Sequence, residues 1–298
     1  MYIKSLESLI IILYYIPERN DTMKFSSKTM CLNNKDTTPY LTYNSLSEIT
    51  FINHCFSTRL GGISTGVCTS MNLGFNRGDK EENVTENYKL LCNSAGFEFD
   101  SLVASAQDHN TFVRKVTSKE KGIGIYKPRD IESVDALTTN EKGVTLVTYY
   151  ADCTPLFFVD TKNKAIALAH AGWRGTVGKI GEKVILKMKQ EYGTNPEDLV
   201  CAIGPAISKC CYEVDKPCAE NFLNLKELDT DKFVFPKEDG KFMIDLLETN
   251  RQILVNCGVK AENITLSDLC TNCNSELLWS HRATKGQRGV MCAMMCIK

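Results

Sequence analysis

Three apolar runs follow one another through the middle of the chain: Val144–Tyr150, Leu156–Asp160 and Ala165–His170. Each has the length of a strand rather than a helix, and none alternates polar with apolar residues. Such runs fit strands covered on both faces, which forces other layers to pack above and below them. The surrounding segments supply those layers. Glu82–Ala95 has Val84, Tyr88, Leu91 and Cys92 near helical spacing, and Gly96 stops it. After Gly175 an amphipathic helix is predicted over Val177–Tyr192, with a further helix over Asp245–Cys257. Phe51–Phe56 is the first organised segment, and strands are expected at Leu199–Ile203 and near Ile264–Leu266. Helices and strands interleave without segregating. The chain is therefore read as α/β, a single domain with a mixed, largely buried β-sheet flanked by helices. Pro155 is expected to take the chain out of the ladder directly after Cys153.

Composition narrows the function. Of 298 residues, 43% are hydrophobic, enough for a real core, so a disordered or fibrous chain is excluded. The charges nearly cancel, 35 Lys+Arg against 36 Asp+Glu, without the basic excess of a nucleic-acid binder. A small-molecule enzyme fits better. The 14 cysteines are scattered mostly as singles, which suits free thiols in a reducing cytosol, most of them core residues. The apolar run at 9–16 is far shorter than the ~20 residues that a membrane helix needs, and no other stretch is suitable. Glu7 before it and Pro17 after it do not make a signal peptide. Residues 1–45 are read as an N-terminal extension, with Met23 an alternative start, and 46–298 as the domain. A cytoplasmic location is expected, with no membrane or nucleic-acid partner.

Chemistry concentrates around three of the four histidines. His109 follows Gln107-Asp108, and His170 ends a strand and opens His170-Ala171-Gly172-Trp173-Arg174-Gly175. His281 lies in Ser280-His281-Arg282, and Ala151-Asp152-Cys153-Thr154-Pro155 marks another strand end. Two imidazoles and a thiolate, from His109, Cys153 and His170, would make a three-ligand zinc site with a fourth position open. Zinc there would keep Cys153 deprotonated and lower the pKa of a bound water toward ~7. Two other readings stay open: a core histidine beside a packing cysteine, or a Cys153 nucleophile with a neighbouring histidine as base. Arg59, Arg174 and Arg282 can each grip a phosphate or carboxylate, or make structural ion pairs. Cys270-Thr271-Asn272-Cys273 looks like half of a zinc knuckle, with no second CxxC to complete it. No Walker-type or GxGxxG loop is present, which disfavours a P-loop or dinucleotide enzyme.

The series FSTRLGGIS at 56–64, MNLG at 71–74, QDH at 107–109, DALTT at 135–139, ADCTP at 151–155 and AHAGWRG at 169–175 carries a resemblance. So do IGPAI at 203–207, CYEV at 211–214 and SHR at 280–282. In this order they resemble the YfiH-like family of polyphenol oxidoreductase (laccase-domain) proteins, also described as purine nucleoside phosphorylases. The resemblance implies a single α/β domain and a metal held by His109, Cys153 and His170. It also implies phosphorolysis of adenosine, inosine, guanosine and methylthioadenosine, together with deamination of adenosine. Two positions depart from the family pattern: Asn110 replaces a usual glycine, and Tyr150 a usual threonine. The substrates implied are purine nucleosides and phosphate, handled by a monomer or small homo-oligomer with Zn2+ as cofactor. Asp152 is expected either to shuttle protons or to orient its loop. Arg59 is expected to bind phosphate, supported by Arg174, Arg282 and His281. Two alternatives stand behind this reading: a cysteine-type amide hydrolase (Cys153 with His170) acting on a peptidoglycan precursor, and a copper-dependent polyphenol oxidoreductase. Copper ranks last because multicopper oxidation calls on more than four histidines.

Overall fold

The computed structural model describes residues 25–298. The apolar run at 9–16 and the alternative start Met23 lie outside them. A first sheet is built from β1 (Met30–Asn33), β2 (Tyr40–Tyr43), β3 (Ile52–Ser57), β4 (Leu102–Ala104), β7 (Thr145–Tyr150) and β15 (Met291–Ile297), in the order β1-β2-β3-β15-β7-β4. A second contains β5 (Val113–Lys115), β6 (Ala136–Thr139), β8 (Thr154–Asp160), β9 (Ala165–Ala171), β10 (Leu199–Ile203) and β14 (Ile264–Leu266), in the order β14-β10-β8-β9-β6-β5. Both are mixed: β4 and β7, β5 and β6, and β10 and β14 pair parallel, and the other neighbours antiparallel. A small antiparallel sheet joins β11 (Glu213–Val214), β12 (Val234–Pro236) and β13 (Phe242–Ile244) in the order β11-β13-β12.

The expected single domain is present, but its sheet is two sheets packed face to face. Alternation along β8 shows the arrangement. Phe157 and Val159 enter one core with Phe56, Leu146, Met291 and Met295 of the first sheet. Leu156 and Phe158 point the other way, against Ile180, Val184 and Met188 of helix Ile180–Tyr192 and Leu254 of helix Leu246–Asn256. Val84, Tyr88 and Leu91 of helix Glu81–Ala95 cover the far face of the first sheet, packing on Cys55, Val147 and Met294. The layers run helix, sheet, sheet, helices. A strand between two sheets and a strand between a sheet and a helix read alike in sequence, because both are apolar on both faces.

Two further expectations need correcting. Pro155 does not end the ladder: it sits inside β8, opposite His170. Its carbonyl accepts the Gly204 amide at 3.0 Å. The side of Pro155 that lacks a donor therefore faces the point where β10 stops, and no partner is lost. Also, β1 and β2 fall within the segment assigned to the extension, yet they extend the first sheet. Tyr43 is fully buried and donates its hydroxyl to the Gly204 carbonyl at 2.6 Å. Half of the 14 cysteines, rather than most, are buried: Cys55, Cys68, Cys92, Cys201, Cys270, Cys292 and Cys296.

Of the chain's crossings between the two large sheets, two meet. It leaves β4 for β5 through residues 105–112, and leaves β7 for β8 through Ala151-Asp152-Cys153. Both crossings lie at one end of the sandwich.

Candidate metal centre and active site

The β8–β9 hairpin brings Cys153 and His170 together. Pro155 lies opposite His170 and Thr154 opposite Ala171, so the residue before β8 and the last turn of β9 share one sheet end. His109 reaches the same point from the other crossing. The donor atoms of His109, Cys153 and His170 all lie within 4.8 Å of one another. Cys153 Sγ is 3.9 Å from His109 Nε2, and the two imidazole rings stand edge to face, 4.8 Å between centroids. The sequence nominated these three, and the structure brings them together.

Backbone shape is set to allow this. His109 and Asp152 both adopt left-handed conformations, with φ of 70° and 83°. His and Asp tolerate that region better than most residues, and such outliers gather at functional sites. Gly172 completes the fit: a Cβ there would stand 2.8 Å from His109 Cδ2 and 3.2 Å from Cys153 Sγ.

Asp135, the first residue of the DALTT segment, organises the centre. It is fully buried. Its Oδ1 lies 2.7 Å from His170 Nδ1 and accepts the His109 amide at 3.2 Å. Its Oδ2 accepts the amides of Asp108 and Asn110 at 3.2 and 3.0 Å. One carboxylate thus pins the His109 loop and occupies His170 Nδ1, leaving Nε2 for the centre. The Asn110 departure keeps this amide contact. Burial pushes the Asp135 carboxyl up, but the His170 contact and the Asp108 amide outweigh it and hold it below the usual carboxylate range. Burial likewise opposes a Cys153 thiolate, yet His170 and then His109 draw the thiol down to about 6. His170 in turn is raised to about 9, against the effect of burial, by Cys153 and Asp135.

The donor set fits a metal ion on these observations: one sulfur and two imidazole nitrogens converge, one ring is fixed by a carboxylate, and no side chain from Gly172 intrudes. Borderline ions such as zinc suit sulfur and imidazole together.

The trio lines a cavity of about 290 Å³ with Phe75, Gln107 and Tyr149. Three arginines reach it: Arg77, Arg129 and Arg288. None was nominated from the sequence. Arg288 Nε is buried and finds no hydrogen-bond partner among the described residues. Burial, and Arg77 after it, hold the Arg288 guanidinium below its usual pKa, an effect that Asp152 and Cys153 only partly offset.

The arginines and histidine chosen from the sequence for phosphate lie elsewhere. Arg59 stacks on Trp279, 3.8 Å from the ring centre, and donates to the carbonyls of Ser275 and Thr69. Arg174 stacks on Trp173. Arg282 donates to the carbonyls of Cys211 and Glu213 at 3.0 Å each. His281 is exposed at the start of the short helix His281–Thr284. None of the four lines the cavity. Asp152 accepts Thr271 Oγ1 at 2.6 Å and the Arg282 amide at 2.7 Å. Both of its oxygens are engaged away from the trio. Tyr150 packs its ring beside His170, 5.8 Å between centroids, and its hydroxyl donates to the Ala169 carbonyl at 2.9 Å with Thr148 Oγ1 2.8 Å away.

A mixed sandwich with this centre defines a metal-binding enzyme-like fold, and comparison places it. The model of the multi-copper polyphenol oxidoreductase laccase family matches residues 53–298, and the chain belongs to that family. It is 34% identical over 244 residues to purine nucleoside phosphorylase YlmD of Bacillus subtilis, covering 82% of this chain and 87% of that one. It superimposes on the Bacillus licheniformis protein YfiH with a TM-score of 0.84 at 30% identity, over 90% of this chain and 99% of the other. For YlmD of Geobacillus stearothermophilus the TM-score is 0.79 at 32% identity, over 87% and 96% of the two chains. Among the described residues no helix is long and apolar enough to cross a membrane.

Proposed function

We propose that the chain is a zinc-dependent purine nucleoside phosphorylase that also deaminates adenosine, with inosine, guanosine and methylthioadenosine as further phosphorolysis substrates and a cytoplasmic site of action. One observation carries the reading: His109, Cys153 and His170 share a cavity with three arginines, one of which has an unpartnered buried Nε. Phosphorolysis needs an anion seat beside the reacting nucleoside, and Arg288 with Arg77 and Arg129 supplies one. The relatives named purine nucleoside phosphorylase point the same way.

His109, Cys153 and His170 would hold the zinc, which when bound supplies Lewis-acid and water-activating chemistry. The chain does the positioning. Asp135 holds the proton on His170 Nδ1 and fixes the ring. The Arg288 guanidinium donates to a phosphate oxygen, while Arg77 and Arg129 neutralise charge beside it. Phe75, stacked on Tyr88, offers a flat face for a purine. Asp152 acts as a positioning residue that holds the crossing loop carrying Cys153.

Cys153, His170 and Asp135 also stand in the order of nucleophile, base and orienting carboxylate, which keeps the amide-hydrolase reading in play. One experiment separates the two. Metal-quantified protein is incubated with adenosine, with and without phosphate, and the products are resolved. Adenine that appears only with phosphate, and inosine with or without it, support the proposal. In His109→Ala both should vanish with the metal; phosphorolysis persisting in that metal-free variant refutes the zinc reading.

A further inference from the structure

A second group of sulfurs lies outside the cavity. Cys210 and Cys211 follow β10, and Cys270 and Cys273 follow β14. Because β10 and β14 are parallel neighbours, the loops leaving them emerge side by side. Ala206 bridges to Cys270, and the Thr271 amide donates to the Ala206 carbonyl at 3.0 Å, which locks the two loops in register. The Sγ atoms of all four cysteines lie within 4.8 Å of one another. Cys210 is 3.6 Å from both Cys211 and Cys273, and Cys211 is 3.4 Å from Cys273. All four are free thiols.

These separations have a chemical meaning. Four thiolates held tetrahedrally at about 2.3 Å from zinc stand roughly 3.8 Å apart, close to the spacing here. A disulfide would need two sulfurs at about 2.05 Å. A multi-iron cluster needs room for bridging sulfides between its ligands, which so compact a set does not leave. Donors already converge on the sulfurs. Cys270 Sγ accepts the Ser208 amide at 3.4 Å, and the Asn272 and Cys273 amides are directed at it as well. Asn272 Nδ2 lies 3.2 Å from Cys211 Sγ. Such N–H groups stabilise metal thiolates.

We propose that Cys210, Cys211, Cys270 and Cys273 form a second metal centre, a closed tetrathiolate site for a single zinc ion. With four protein ligands it has no open position, so its role is structural. It staples the loops on which Asp152 rests. Thr271, between the two later ligands, donates to Asp152, and Arg282 donates to the carbonyl of Cys211. Zinc here therefore supports the crossing loop that carries Cys153 without touching the cavity.

The test uses the full chain carrying Cys153→Ala, which removes the thiolate of the first centre and leaves these four in place. One equivalent of zinc should remain bound, and X-ray absorption should show a shell of four sulfurs at about 2.3 Å. Adding Cys210→Ser with Cys273→Ser should lose that equivalent. The proposal is overturned by a zinc-free Cys153→Ala protein, by nitrogen or oxygen donors in the shell, by an iron–sulfide cluster, or by a disulfide among these cysteines after reducing purification. The absorption spectrum decides even if the triple variant does not fold.

Discussion

Asp135→Asn is the most informative single substitution at the proposed active centre. The asparagine keeps one oxygen, which can serve His170 Nδ1–H at the 2.7 Å position and the His109 amide. Its NH2 then replaces Oδ2 and faces the amides of Asp108 and Asn110, donor against donor. Hydrogen bonds to a charged acceptor contribute about 1.5–3 kcal/mol each. Losing two at a fully buried position, partly relieved by movement of the exposed loop, should destabilise the fold by about 2–4 kcal/mol. The consequence for the centre is separate: an outer carboxylate partner of a metal-bound histidine is worth about 10–100-fold in metal affinity or activity. Zinc affinity is measured by competition with a chromophoric chelator, and phosphorolysis by kcat/KM for adenosine at saturating zinc. Both should fall within that range, and stability should fall in parallel by denaturant titration. A variant that binds zinc and turns over adenosine like the parent would refute the view that Asp135 organises the site.

Four other outcomes follow from the same geometry. Asp152→Asn can accept the Arg282 amide through oxygen and donate to Thr271 Oγ1 through nitrogen, so kcat should change less than about threefold, whereas Asp152→Ala should lose about 2 kcal/mol of stability; a collapse of kcat in the asparagine variant, read by steady-state kinetics, would show that the carboxyl moves protons. Arg288→Ala should raise the KM for phosphate about tenfold or more with nucleoside KM little changed, while Arg59→Ala, which breaks the Trp279 stack, should lower the melting temperature and leave phosphate KM alone; the reverse pattern would restore Arg59 as the phosphate ligand. Gly172→Ala, by pressing on His109 and Cys153, should weaken zinc binding by at least tenfold, checked by the same chelator competition. His54, buried with its Nε2 accepting the Tyr43 amide at 2.8 Å, has its pKa lowered to about 4, chiefly by burial and then by Lys298. Its folded value lies below the unfolded one of about 6.5, so its contribution is complete above pH 6.5 and lost as pH falls toward 4, about 2 kcal/mol by pH 5; urea titrations should show a shallower acid loss in His54→Gln.

The sequence made some of this legible and hid the rest for identifiable reasons. The strands β7 to β10 stand out because each is apolar on both faces, and helix Glu81–Ala95 because its spacing and Gly96 agree. Whether one sheet or two lay beneath was hidden, since a residue's neighbours across the interface leave no periodicity. The run Met291–Ile297 carries cysteine and methionine where β-branched residues usually mark a strand, so β15 gave no signal. His109, Cys153 and His170 could be nominated by residue type and strand ends, but only the hairpin register shows that they meet. Asp135 could have been suspected, as an acid directly before a buried strand. Arg77 and Arg288 could not, because nothing local distinguishes them from solvent-facing arginines. The Cys210-Cys211 and Cys270/Cys273 pairs looked unrelated because the parallel pairing of β10 and β14 is a long-range fact.

The position of β15 has a consequence for synthesis of the chain. It comes after every other described strand in the chain, yet it lies between β3 and β7 and pairs with both. Until it emerges from the ribosome, the early half of the first sheet has no partner on that side, and the face that packs on the second sheet stays incomplete. The sandwich can close only after β15 has left the ribosome. A truncation that removes β15 would take out the middle of the sheet rather than an edge, leaving β3 and β7 each open on one side and a strong tendency to aggregate.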